Sequence, residues 1–156
     1  MERIEYNDKF LAQLKRHEGL RLEAYLCPAG KLTIGWGHNC DVWPVAGVDK
    51  VGDVISRVKA EEILAEDVVF IAGELDDRLN FGWRKMIEPR QSVLLNMAFN
   101  LGVPKLLTFR KALRAMESRC WNEAAHEMLD SRWAEQVKGR AAELATQMVL
   151  GAWQEG

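Results

Sequence analysis

Near the start of the chain stand three side chains of types that can do chemistry together: Glu18, Cys27 and Thr33. Glu18 closes a predicted helix, just before a glycine-rich stretch. Cys27 and Thr33 bracket a predicted hairpin turn, Cys27-Pro28-Ala29-Gly30. If a groove lies between helix and hairpin, all three point into it from different walls. A protonated Glu on one wall can donate a proton to a leaving oxygen. A polar or anionic group opposite can position water or stabilise developing positive charge. That is the division of labour in glycoside hydrolysis. The acid then needs a raised pKa, and so partial burial near apolar residues. Each residue alone has a plainer explanation. A Glu at a helix end is usually solvated, a Cys before a Pro is usually a small buried hydrophobe, and a Thr in a strand usually serves strand preference.

The elements that must position these groups follow from periodicity. Asn7 suits a helix N-cap, Phe10, Leu11, Leu14 and His17 or Glu18 fall at helical spacing, and Gly19 is a natural stop. From Leu20 to about Asp53 the chain is too rich in Gly and Pro for helix. Two strands are predicted there, Leu22–Leu26 and Lys31–Trp36, followed by a surface loop over Cys40–Gly52. Gly35 and Gly37 fit tight bends or close backbone contact. Beyond Ile55 the pattern is helical. Ser56 caps a long helix carrying Ile63, Leu64, Ile71 and Leu75, and Pro89 opens another that carries Val93, Leu94, Met97 and Leu101 and stops at Gly102. Thr108 is expected to cap a third, a fourth runs from about Trp121 to Leu129, and a fifth from near Trp133 to just before Gly151. The fold class is therefore α+β: a small β-hairpin lobe at about 19–55, and a larger helical lobe from 1–18 and 56–156. A ligand cleft is expected where the lobes meet.

Composition bounds the function. The 156 residues make one ordinary domain, large enough to fold without staples. Hydrophobic residues are 48% and charged residues 28%, as in a globular protein. With 21 Lys+Arg against 23 Asp+Glu, no dominant polyanion-binding surface is expected, and no basic helix motif points to nucleic acid. No apolar run reaches the ~18 residues of a membrane span. Met1–Arg16 scatters charges among its apolar residues, unlike a signal peptide, so synthesis in the cytoplasm is expected. Cys27, Cys40 and Cys120 form neither a disulfide framework nor a CxxC zinc pair, and His17, His38 and His126 are far apart. Neither metal nor cofactor is expected.

The joint pattern around these residues is more specific than any one of them. Glu18, eight residues, Cys27, five residues and Thr33, flanked by Glu18-Gly19-Leu20-Arg21 and Thr33-Ile34-Gly35-Trp36-Gly37-His38, resembles the phage-type lysozymes (endolysins) of glycoside hydrolase family 24. That family carries Glu, eight residues, Asp or Cys, five residues, Thr. The likeness continues through Arg90–Gly102, Trp121–Ala125, Ser131-Arg132-Trp133, Gly139-Arg140-Ala141 and Gly151-Ala152-Trp153, which is nearly the whole chain.

The resemblance implies a single lysozyme-like domain, with an active-site cleft between its lobes. It implies hydrolysis of the β-1,4 bond between N-acetylmuramic acid and N-acetylglucosamine in bacterial peptidoglycan, with inversion. Glu18 would be the general acid, Thr33 would help hold the attacking water, and Cys27 would stand where many relatives carry Asp. A Cys there acts either as a thiolate or as a shaper of the water site. Asn39, Phe99 and Asn100 would line the groove, although Phe99 equally suits a core and Asn39 a turn. Arg140 matches an arginine that approaches the acid in relatives. His38 and Asp67 are expected to pair across the lobes. The 41–50 loop is longer than in the shortest relatives. Release through a holin-type membrane lesion, action on the wall as a monomer, and no membrane insertion of its own complete the expectation. A lytic transglycosylase, or a non-catalytic wall-binding module on the same fold, are the competing readings.

Overall fold

A computed structural model of the chain describes residues 7–156. The first six residues of the charged opening segment lie outside the described part. By backbone contact the chain divides into two compact units, one of Leu11–Phe70 and the other of the residues up to Phe10 with Ile71–Gly156. The predicted β lobe, about 19–55, falls inside the first unit. That unit also takes in the end of the leading helix and much of the long helix after the β segment.

The 11–70 unit begins with α1 (Asp8–Glu18), which crosses the boundary at Phe10. The Asn7 Oδ1 accepts the Lys9 N–H at 2.7 Å, as an N-cap should. Gly19 ends the helix at φ +71°, a conformation that costs a side-chain-bearing residue strain, and donates its N–H to the Lys15 carbonyl at 2.9 Å. Strands β1 (Arg21–Leu26) and β2 (Leu32–Gly35) then form the predicted hairpin. A two-residue strand absent from the prediction, β3 (His38–Asn39), pairs antiparallel with β2 and gives the order β1-β2-β3. The other edge of β1 is covered by the end of the expected loop: the Ala24 N–H meets the Asp53 carbonyl at 2.8 Å and the Ile55 N–H meets the Leu22 carbonyl at 2.9 Å. Within the loop, buried Val45 and Val48 pin the chain down, so it is less purely a surface loop than its composition suggests.

The sheet packs on α2 (Arg57–Arg78), whose first turn is capped by the Ser56 hydroxyl accepting the Lys59 N–H at 3.0 Å. Leu14, Ala24, Ile34, Ala60 and Leu64 are buried in this unit. Buried Trp36 carries the ammonium of Lys15 4.8 Å from its ring centroid, and Lys15 also pairs with Glu61 at 2.8 Å.

The second unit is helical. It contains the end of α2, a short 3-10 turn at Trp83–Lys85, α3 (Glu88–Leu101), α4 (Val103–Leu106), α5 (Arg110–Glu117), α6 (Trp121–Leu129), α7 (Arg132–Val137) and α8 (Gly139–Leu150). Pro89 sits in the first turn of α3, and Gly102 ends it at φ +83° as predicted. Two expectations are corrected. The Thr108 hydroxyl caps nothing ahead of it; it donates back to the Lys105 carbonyl at 2.6 Å, and α5 starts at Arg110 with no side-chain cap. The long last helix is two, because Lys138 at φ +45° breaks it. The core of this unit is apolar, with Leu94, Met97, Leu106, Met128, Leu144 and Met148 fully buried. The fold is α+β, a small antiparallel sheet with a helical majority, as expected.

His38 and Asp67 do meet, with Nδ1 2.7 Å from Oδ2, but within the 11–70 unit rather than across units. The other imidazole nitrogen faces the Trp43 carbonyl at 2.8 Å. Burial alone would push the His38 pKa down, yet the hydrogen bond and charge of Asp67 outweigh it and raise the value above 6.5. A raised folded-state value means the pair's contribution is fully present below the unfolded value of about 6.5 and is lost as pH rises through the folded value. Asp67→Asn should therefore cost about 1–3 kcal/mol at pH 5, with a smaller loss at pH 9. Urea unfolding of both proteins at the two pH values checks this, and an equal loss at each would show that charge plays no part.

Candidate active site

The site starts from the turn. The Cys27 N–H donates to the Lys31 carbonyl at 2.9 Å, and the Gly30 N–H donates to the Cys27 carbonyl at 2.8 Å with Gly30 at φ +77°. This closure fixes the pairs Leu26↔Leu32 and Tyr25↔Thr33, and β3 adds Thr33↔Asn39. Directly opposed residues share a face of a sheet. Tyr25, Thr33 and Asn39 thus form one rung, with side chains on one face, and Cys27 sits at its turn end.

Cys27 is half-buried and Thr33 buried. The Lys31 backbone N–H, foremost, with the Ala29 N–H and the Thr33 hydroxyl, holds the Cys27 thiol below the ordinary thiol range, against the opposing effect of desolvation. The Thr33 hydroxyl also lies 2.8 Å from the Lys31 carbonyl, placed to donate to it. A hydroxyl has one proton to give, and that of Thr33 is directed at the Lys31 carbonyl.

Glu18, half-buried, ends α1 in the same unit. Tyr25 is the residue that reports on both groups: burial raises its pKa first, the Arg21 guanidinium lowers it, and the negative charges of Cys27 and Glu18 raise it further. Arg21 lies over the Tyr25 ring, 4.3 Å from its centroid. Tyr25 was not singled out in the sequence. The signal that finds it is register: once the turn is fixed at Cys27–Lys31, Tyr25 must oppose Thr33.

Asn39 shares the rung, but its Oδ1 is taken by the Asp41 N–H at 3.0 Å in a turn, so the amide NH2 is the end that can meet a ligand. Phe99, half-buried, and Asn100 lie near the end of α3, in the other unit. The Asn100 Oδ1 accepts from the buried Trp133 indole N–H at 2.7 Å. Trp133 packs edge-on to Phe109 and lines with it a groove of about 640 Å³, to which none of the three predicted catalytic residues contributes. Arg140 directs Nε and Nη2 at the Oδ1 of buried Asn96, at 3.0 and 2.8 Å. Among the described residues no cluster of three His, Cys, Asp or Glu is placed to hold a metal ion.

The thiol geometry has a direct readout. Alkylation of Cys27 by iodoacetamide, followed by mass spectrometry across pH, should show a midpoint below that of a free thiol. Thr33→Val should move the midpoint up. Cys40, buried and pushed up by that burial, should react later than Cys27. A Cys27 midpoint indifferent to Thr33→Val would remove the hydroxyl from the account.

The family model described as Phage lysozyme matches residues 15–147, a span that holds Glu18, Cys27 and Thr33. Among similar proteins, the pre-baseplate central spike protein Gp5 of Enterobacteria phage T4 is 30% identical over 93% of this chain and 28% of its own length. An endolysin of Acyrthosiphon pisum secondary endosymbiont phage 1 is 31% identical over 65% of this chain and 63% of its own length. A probable T4-type lysozyme 1 of Dictyostelium discoideum is 28% identical over 82% of this chain and 86% of its own length. The chain thus spans less than a third of the spike protein and under two thirds of the endolysin. With the site's spacing and the matched span in agreement, the chain belongs to the phage lysozyme family.

Proposed function

We propose that the chain is a muramidase that hydrolyses the β-1,4 bond between N-acetylmuramic acid and N-acetylglucosamine in bacterial peptidoglycan. The observation that carries the reading is the register that sets Thr33 in one rung with Tyr25 and Asn39, with Cys27 at the turn end of that rung and Glu18 at the end of α1, all inside the span matched by the family model. Glu18 protonates the glycosidic oxygen as the bond breaks. Water attacks the anomeric carbon from the other side, held by the Thr33 hydroxyl. Cys27, as thiolate, takes the proton that the water loses and offsets positive charge on the sugar ring. Direct attack by water inverts the anomeric centre. No described helix is long and apolar enough to cross a membrane, which accords with delivery to the wall through a lesion made by another protein.

Lysis of permeabilised cells, followed by turbidity, tests the assignment. Glu18→Gln should lose at least about 10³-fold of the rate with its fold intact by circular dichroism. Cys27→Asp should keep substantial activity, and its acidic pH limb should move down toward the carboxylate range near ~3.9. Product analysis should show reducing-end muramic acid, initially as the inverted anomer. A 1,6-anhydro end would make the enzyme a lytic transglycosylase. Full activity in Glu18→Gln would end the assignment.

A further inference from the structure

One concavity of the 11–70 unit, outside the Cys27–Thr33 rung, combines open ring faces with hydrogen-bonding groups. The loop after β3 and the middle of α2 enclose about 320 Å³, at the small end of the range for ligand pockets. Trp43 and Phe70 form its rim, with centroids 5.0 Å apart and planes at 66°. They are 50% and 47% exposed. An edge contact of this kind leaves a ring face open. Exposed apolar side chains in a cluster mark binding surfaces more often than isolated ones do, and Val42 and Val69 beside them are exposed as well.

The polar groups of the pocket choose among ligands. Its wall holds Glu66 and Asp67 against Lys59 and His38. Asp67 is engaged by His38 at 2.7 Å, and Lys59 lies 3.7 Å from Glu62. No single sign of charge dominates, which disfavours a strongly charged ligand. A pyranose matches the remainder. Its C–H face, slightly positive, lies on the negative face of an aromatic ring, while its hydroxyls donate to carboxylates and accept from an ammonium.

The pocket is also separate from the reacting groups. Ile34 opposes His38, whereas Thr33 opposes Asn39. Successive strand residues point to opposite faces. His38 and the pocket it lines therefore lie on the sheet face opposite to Thr33.

We propose that the Trp43–Phe70 pocket is a second glycan contact, binding a neutral N-acetylated sugar ring on the face of the sheet away from the hydrolysed bond. The proposal rests on the muramidase reading for the identity of the polymer. A second weak contact raises the local concentration of substrate strands at the site without changing the chemistry.

The test uses ¹⁵N-labelled Glu18→Gln protein titrated with the tetramer of N-acetylglucosamine. The Trp43 indole N–H and the amides of 43–46 should shift and saturate on their own isotherm, distinct from that of the 27–33 amides. Trp43→Ala should erase the first set and keep the second. In the otherwise wild-type protein, Trp43→Ala should lower retention on insoluble peptidoglycan by about three- to tenfold, while turnover of a short soluble substrate stays within about twofold. Phe70→Ala serves as an independent variant, and thermal unfolding checks that both fold. Movement of the 27–33 amides with a silent Trp43 indole would overturn the second contact and leave the muramidase reading standing. Silence at both would overturn both. A response at Trp43 to tetramethylammonium but not to the sugar would make the pocket a cation cage and overturn the proposal.

Discussion

The register of β1 against β2 decides on which face of the sheet Thr33 stands, and so whether it can join Cys27 in the proposed chemistry. Because side chains alternate, a slip of one residue would carry Thr33 to the opposite face and put Ile34 in its place. Several constraints forbid the slip. The turn from Cys27 to Lys31 is closed by two backbone hydrogen bonds and needs the positive φ of Gly30. Ile34 is fully buried beneath the sheet, so reversal would expose an apolar side chain at a cost of about 2 kcal/mol or more. Gly35, at φ +67°, brings the strand end against α2, where an added Cβ would lie 3.8 Å from the Ala60 methyl. Packing on one face thus sets the chemistry on the other.

The chemistry on that face is a matter of where protons sit. The Thr33 hydroxyl has one proton and a backbone acceptor already beside it, the Lys31 carbonyl, while the turn's N–H groups lower the Cys27 thiol pKa. Backbone N–H groups around the turn favour the anion whether it is carried by sulfur or by oxygen. A carboxylate at position 27 would meet the same donors. The substitution changes the pH at which the anion forms more than the place where it sits.

Much of this was legible in the sequence, and what was not has physical causes. Asn7, Ser56, Pro89 and Gly102 mark helix ends because capping and backbone restriction are local, and the structure bears out all four. Thr108 misled because a threonine hydroxyl can satisfy the carbonyl behind it as readily as an N–H ahead. The break at Lys138 left no sign, since a lysine at positive φ is held by its surroundings and not by its own preference. Strand β3 was too short for any alternation to register. In the site, Glu18, Cys27 and Thr33 stood out by spacing, whereas Tyr25 needed the pairing partner of Thr33 to be known. The other ends of Asn39 and Asn100 were invisible too, because their hydrogen bonds, to Asp41 and Trp133, are settled by the fold.

The small sheet also shows how a polar cluster is tolerated. A buried hydroxyl such as that of Thr33 stabilises only through its partners. The compensation lies on the opposite face. There Ile34 is sealed against solvent and Ala60 approaches Gly35, while buried His38 takes a carboxylate and a carbonyl at once. A change on that face need touch neither Cys27 nor Thr33 to alter the proposed catalysis. Loosening the strand that carries both Ile34 and Thr33 moves the hydroxyl relative to the thiol, and a misplacement of about 1 Å is enough to cost a hundredfold in rate. Stability and reactivity are therefore coupled through a single four-residue strand, and a variant at position 34 or 38 is better read by its rate at a temperature where it is fully folded than by its melting point alone.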